Sequence, residues 1–136
     1  MVLLLSLCVV RGNLINETPL SKEIVWAMKV SNLHSDYPRL VAELSKCENY
    51  GKWDNRKIVD SNKKYSYGGL QFQKSTFLQY GHESAILPEW IDETNFETYI
   101  YDKDIQTLIA EYMIGKGIGK YHWVNCFRIY NLSQYL

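Results

Sequence analysis

The residue with the clearest chemical potential in the sequence is Glu48, a carboxyl group on an otherwise apolar helical stripe. Leu40, Leu44 and Cys47 recur at helical spacing, and the glutamate follows Leu44 by four residues. Burial disfavours a carboxylate, and the partial negative charge at a helix C-terminus disfavours it further. Because a carboxylic acid that keeps its proton near neutral pH can protonate a glycosidic oxygen, the position predicts a general acid. Helix position alone also allows an exposed, helix-terminal glutamate.

A second segment carries two glycines and two polar residues at fixed spacing. Gly68 and Gly69 permit positive φ and a close backbone approach. Gln71 follows Gly68 by three residues, precedes Thr76 by five, and offers both a donor and an acceptor. Taken alone, the segment fits an ordinary Gly-Gly turn beside a surface glutamine. Paired with Glu48, it predicts a groove that holds a polar ligand.

Together the two segments resemble the lysozyme-like superfamily of soluble lytic transglycosylases. That family has a catalytic Glu at a helix end, a loop, a G-x-x-Q segment and a Thr five residues after the Gln. The resemblance spans roughly residues 36–126 and implies that Glu48 is the catalytic acid. The expected sugar contacts are Asn49, Tyr67, Gly68, Gly69, Gln71 and Thr76.

Two departures from the family pattern stand out. Asn49 replaces the Ser that usually follows the catalytic Glu, although its amide can still form hydrogen bonds. The family's A-Y-N-x-G motif has no clean counterpart, so no catalytic tyrosine is assigned. A groove lined by aromatic rings is still expected, from Tyr50, Trp53, Tyr65, Tyr67 and Phe72.

A second carboxylate would decide the mechanism. Asp60 matches an aspartate common at this loop position in the relatives, and Asp54 is a lesser candidate. If one faced Glu48 across the groove, hydrolysis with a base-activated water would be feasible. Otherwise the resemblance implies a route with a single Glu, assisted by the substrate's N-acetyl group and ending in a 1,6-anhydro ring. Either aspartate also fits a plain turn-stabilising role.

The elements that must position these residues are predicted to be mainly helical. Pro38 favours a helix that begins at Ser35 or Asp36. A loop or small β-hairpin follows from 49 to 69. The remaining predicted elements are a helix over Ser21–Val30, strand pieces Lys57–Val59 and Tyr65–Tyr67, a helix from Ser75 to Tyr80 ended by Gly81, and a long helix that starts at Asp102 or Asp104 and ends at Gly115, Gly117 and Gly119. The expected class is therefore a lysozyme-like helical domain with a small β excursion beside the cleft.

Three cysteines bear on the compartment. Cys8 lies in an apolar run at residues 1–10, so residues 1–12 form an export signal or a buried apolar segment, and residues 13–136 one domain. After export Cys47 and Cys126 would pair, and closing about 80 residues contributes about 4 kcal/mol. Two reduced thiols in a cytosolic protein are the alternative. A zinc site from these two cysteines and His122 lacks a fourth ligand, so no metal or organic cofactor is expected.

The charge balance narrows the partner. Fifteen basic residues equal fifteen acidic ones, which gives no electrostatic footprint for nucleic acid or an anionic membrane. With 46% apolar residues the chain can bury one core. The expectation is a secreted, periplasmic or wall-associated monomer that cleaves the β-1,4 bond between MurNAc and GlcNAc in peptidoglycan or a related amino-sugar polysaccharide. A catalytically silent wall-binding or structural domain of the same fold is the alternative.

Overall fold

The computed structural model describes residues 36–136, which are mainly α-helical. The predicted helix at 21–30 and the predicted export segment at 1–12 lie outside the described residues. The described helices are α1 (Tyr37–Asn49), α2 (Lys74–Glu83), α3 (Lys103–Gly115), α4 (Gly119–His122) and α5 (Val124–Ile129), with 3-10 turns at Phe96–Thr98 and Leu132–Tyr135. None of the helices described is long and apolar enough to cross a membrane.

Helix α1 carries Glu48 in its last turn, as the sequence predicted. Asp36 occupies the N-cap position without a side-chain cap bond, and Pro38 lies in the first turn, where its missing N–H costs nothing. The helix ends at Asn49, and Tyr50 follows as the C-cap in a left-handed conformation with φ 55°. Leu40 and Leu44 are fully buried on the inner face.

Three short antiparallel strands follow, in the order β1 (Lys57–Val59), β2 (Tyr65–Tyr67) and β3 (Phe72–Gln73). The first two are the predicted hairpin, and β3 was not predicted. Ser66 pairs with Ile58 on one side and with Gln73 on the other. Because successive side chains on a strand point to opposite faces, this row and the neighbouring tyrosines of β2 face opposite sides of the sheet.

The prediction for α2 was wrong at both ends. The helix begins at Lys74 after an extended Gln73, so Ser75 lies inside the first turn rather than at the cap. Gly81 lies inside the helix, not at its end. A Cβ there would come within 2.3 Å of Leu87 Cδ1, so the glycine permits close packing instead of a turn.

Helix α3 is the central helix, with α1 and α2 packed against it. Asp102 caps it by accepting a hydrogen bond from the Ile105 amide at 2.9 Å, as predicted. Gly115 is its last residue, and Gly117 follows with φ 74°. The tail then returns to the core, where Trp123, Cys126 and Phe127 are buried. This return brings Cys126 next to Glu48.

Candidate active-site cleft around Glu48

An open cavity of about 230 Å³ surrounds the end of α1, and we call it the Glu48 cleft. Helix α1, the sheet, α2 and the tail all contribute to it. Its lining consists of Glu48, Ile58, Asp60, Ser66, Gln71, Gln73, Thr76, His122 and Trp123. Four of the predicted site residues therefore meet in one cavity although they lie far apart in sequence: Glu48, Asp60, Gln71 and Thr76.

The carboxyl group of Glu48 is largely withdrawn from water. Burial, and to a lesser extent the negative charge of Asp60, raise its pKa from 4.5 to about 7. The direction agrees with the one predicted from the helix position. Glu48 is thus half-protonated near neutral pH, where it can both give and take a proton.

The disulfide predicted between Cys47 and Cys126 is present, with an S–S distance of 2.03 Å and Cα atoms 5.8 Å apart. It ties the end of α1 to α5. Oε1 of Glu48 lies 2.8 Å from Sγ of Cys126. Because a disulfide sulfur carries no proton and only accepts, the contact fits a protonated Glu48 that donates its O–H to sulfur.

The same three residues are the one group of potential metal ligands found in residues 36–136, with ligand atoms within 4.8 Å of one another. Metal ligation by cysteine requires the thiolate. In the disulfide the two sulfurs are bonded to each other, so Glu48 alone would offer an anionic ligand. The geometry of the oxidised protein does not fit a metal.

Asp60 follows β1 and is held by two protein donors. Its Oδ2 accepts a short hydrogen bond from the Ser66 hydroxyl and another from Gln73 Nε2 at 2.8 Å. Both donors belong to the row of side chains that faces the cleft. Asp60 is therefore fixed where its charge acts on Glu48.

The glycine pair supports the cleft from behind. Gly68 has φ 74°, and a Cβ on it would come within 2.4 Å of Gln106 Nε2. Gln106 is fully buried, accepts from the Leu70 amide at 2.9 Å and donates to the Tyr67 carbonyl at 2.9 Å. A Cβ on Gly69 would come within 2.4 Å of the Trp53 ring. Both glycines thus serve close packing beneath the segment that leads into Gln71.

Gln71 combines backbone strain with an unsatisfied polar atom. Its φ is 50°, a region that favours glycine, and the residue is only 9% exposed. Nε2 donates to the Gly68 carbonyl at 2.6 Å, whereas Oε1 is buried without a hydrogen-bond partner among residues 36–136. Buried acceptors of this kind are rare. A ligand N–H or O–H would supply the missing donor once the side chain turned toward it.

Two cleft residues were missed by sequence reasoning, which weighed His122 as a zinc ligand and placed Trp123 in no site. Nε2 of His122 is 2.9 Å from Thr76 Oγ1, and burial of the ring lowers its pKa even though the residue as a whole is exposed. Trp123 Nε1 donates to the Leu70 carbonyl at 3.1 Å. Their one sequence signal was an adjacent His-Trp pair shortly before Cys126.

Other predicted contacts lie elsewhere. Asn49 is buried, and its amide donates to the Lys52 carbonyl and to Asp54 and accepts from Arg56, so it does not line the cleft. Of the expected aromatic residues, Tyr50 is 79% exposed and Phe72 is buried in the core.

Tyr67 lines a second cavity, of about 510 Å³, which we call the lysine–tyrosine pocket. Gln73 lines both cavities. The full lining of this pocket is Lys57, Lys64, Tyr65, Tyr67, Gln73, Lys74, Ser75, Phe96 and Glu97.

Comparisons of the chain with protein-family models, with curated proteins and with solved structures find no match.

Proposed function

We propose that the protein is a peptidoglycan-cleaving glycosidase of lysozyme-like fold in which Glu48 is the general acid. The observation that carries the proposal is the Glu48 carboxyl, desolvated in an open cleft beside a second carboxylate, with its pKa raised to about 7. This combination is what protonation of a glycosidic oxygen needs. The choice of the MurNAc–GlcNAc bond comes from the resemblance of Glu48, Gly68, Gln71 and Thr76 to the lytic transglycosylases.

In the proposed reaction Glu48 donates its proton to the oxygen of the scissile bond as that bond breaks. Positive charge develops on the sugar, and the carboxylate of Asp60 stabilises it electrostatically. Ionised Glu48 then removes a proton from the attacking hydroxyl. If the attacking hydroxyl belongs to a water molecule, the product has a reducing end. If it is the sugar's own 6-hydroxyl, the product is a 1,6-anhydro sugar.

Two features support a site of action outside the cytosol. The Cys47–Cys126 disulfide is of the kind that persists in oxidising compartments. The equal numbers of basic and acidic residues suit a glycan better than a polyanion. We therefore propose a secreted, periplasmic or wall-associated monomer.

One observation favours a second candidate, a wall-binding domain without turnover. Asn49 stands where the family has a Ser that helps hold the acid and the sugar, and its amide is engaged by Lys52, Asp54 and Arg56. That position therefore contributes nothing to the cleft. A wall-binding domain would keep the fold and the groove but release no product.

Digestion of purified cell walls tests the choice between these functions. The oxidised wild-type protein should release soluble muropeptides, and Glu48→Gln should reduce the rate about 10²- to 10⁴-fold, the usual range for a general acid. Glu43→Gln, on the same helix but paired with Lys46, is the matched control and should keep wild-type activity. The rate should also fall as pH rises through about 7, because Glu48 then loses its proton.

Mass spectrometry of the products separates the two routes, since an anhydro end lacks one water relative to a reducing end. Failure of the wild-type protein to release muropeptides from several wall types would rule out the enzyme. If the wild-type protein and Glu48→Gln both still bind walls in that case, the second candidate is supported.

A further inference from the structure

The lysine–tyrosine pocket is separate in its chemistry from the Glu48 cleft. Lys57, Tyr65 and Tyr67 lie on alternate strand positions from Ile58 and Ser66, so they face the opposite side of the sheet. At about 510 Å³ the pocket falls in the size range of small-ligand sites. Neither Glu48 nor Asp60 lines it, and Gln73, which holds Asp60, lines both cavities.

The lining of the pocket carries a net positive charge. Its lining holds three lysines and one glutamate in a chain with no net charge. Lys74 and Ser75 are also the first residues of α2, whose N-terminal partial positive charge adds to that of the lysines. The lining contains no arginine, the residue that binds phosphate through two parallel hydrogen bonds.

Two of the three lysines of the pocket already bind carboxylates. Lys57 Nζ is 2.6 Å from Glu97, and Lys74 Nζ is 2.9 Å from Glu93. The ammonium of Lys64 makes no ion pair or hydrogen bond within residues 36–136, so it is available to a ligand. The Lys64 ammonium is therefore free to bind a ligand carboxylate, as the neighbouring ammonium groups of Lys57 and Lys74 bind carboxylates of the protein.

The walls add apolar contact. Lys57 Nζ lies 4.6 Å from the centre of the half-exposed Tyr65 ring, and Phe96 forms an edge-to-face pair with Tyr67. The Ser75 hydroxyl can exchange hydrogen bonds with a peptide backbone. Aromatic walls, a few polar groups and a free cation are together suited to a short peptide that carries a carboxylate.

We propose that the lysine–tyrosine pocket is a second binding site, specific for a short acidic peptide. The peptide comes either from a peptide-bearing glycan or from a free chain, and the carboxylate chemistry is the same. The proposal does not depend on Glu48 or on turnover.

The test is an amide NMR titration at low salt with acetyl-Ala-Glu-Glu, compared with the neutral acetyl-Ala-Gln-Gln-amide. The acidic peptide should shift the resonances of Lys64, Tyr65 and Ser75, and the neutral one should bind about tenfold more weakly. Lys64→Gln should weaken acidic-peptide binding about fivefold. Lys63→Gln removes the same charge one residue away, outside the lining, and should leave binding unchanged.

Equal binding of the two peptides, or equal loss in the two lysine variants, would overturn the proposal. A second titration uses the Glu48→Gln protein with a disaccharide tripeptide and with the peptide-free disaccharide. Shifts in the amide resonances of pocket residues that occur only with the peptide-bearing sugar would assign the peptide to a glycan. Pocket shifts seen with the free peptide but not with this sugar would assign it to a separate chain. Both outcomes retain the site, and neither depends on whether the wild-type protein cleaves walls.

Discussion

The Glu48 cleft and the lysine–tyrosine pocket lie on opposite faces of the same three short strands, yet they handle charge in opposite ways. In the cleft, burial holds a carboxyl group close to its neutral form beside a disulfide. In the pocket, exposed ammonium groups pair with exposed carboxylates. Desolvation therefore creates acid chemistry on one face, whereas solvated charge creates attraction on the other. We therefore expect substitutions around the cleft to change the free energy of unfolding strongly, and substitutions in the pocket to change it little.

The largest expected effect is loss of the disulfide behind the cleft. Replacing Cys47 and Cys126 together by alanine should lower the free energy of unfolding by about 4 kcal/mol, because the bond closes a long loop. Urea unfolding with and without reductant measures this. Equal midpoints in oxidised and reduced wild-type protein would show that the tie between α1 and α5 contributes little.

The next effect concerns the glycine pair, which joins Tyr67 in the pocket to Gln71 in the cleft. Gly69→Ala should destabilise the protein by about 2 kcal/mol, since the new methyl group would meet the Trp53 ring and force it to shift. Gly115→Ala is the control, because the nearest atom to its Cβ would be 3.9 Å away in Tyr37. If both alanines cost the same in thermal unfolding, the close approach to Trp53 is not what requires glycine.

A pH-dependent effect tests the desolvation of Glu48 directly. Its pKa is about 7 in the folded protein against 4.5 in the unfolded chain, so between these values the folded state binds more protons. Stability is therefore lost as pH rises from about 4.5 to about 7. Glu48→Gln should stabilise the protein by about 2 kcal/mol at pH 8, after allowance for partial exposure, and by almost nothing at pH 4. A gain that is the same at both pH values would contradict the raised pKa.

The smallest effect is expected in the pocket. Lys57→Gln removes the ion pair with Glu97, but exposed pairs are screened by solvent and salt, so the unfolding midpoint should not move measurably. Only binding of an acidic peptide should change. A clear drop in the unfolding midpoint of Lys57→Gln at low salt would contradict this expectation. It would show that charge in the pocket, like charge in the cleft, affects the stability of the fold.

Sequence reasoning found the local features well. The proline-started helix that ends near Glu48, both strands of the hairpin, the Asp102 cap and the cysteine pair were all predicted, because each depends on periodicity, turn chemistry or residue counting. It failed where distant packing overrides local propensity. Gly81 looks like a helix end, but it lies inside α2, and Leu87 from the segment after the helix packs over it. Asn49 looks like a cleft residue, but Asp54 and Arg56 bind its amide within the following loop.

By itself the sequence determined that a glutamate would end an amphipathic helix, that a Gly-x-x-Gln segment would follow a hairpin, and that two cysteines were available to pair. Only the tertiary structure decided that Asp60 faces Glu48, that His122 and Trp123 complete the cleft, and that Gln71 keeps an unpaired oxygen. The physical reason is that a raised pKa and an unsatisfied acceptor depend on what surrounds a group in space. Those surroundings come from segments up to about 80 residues apart, which the disulfide and the returning tail bring together.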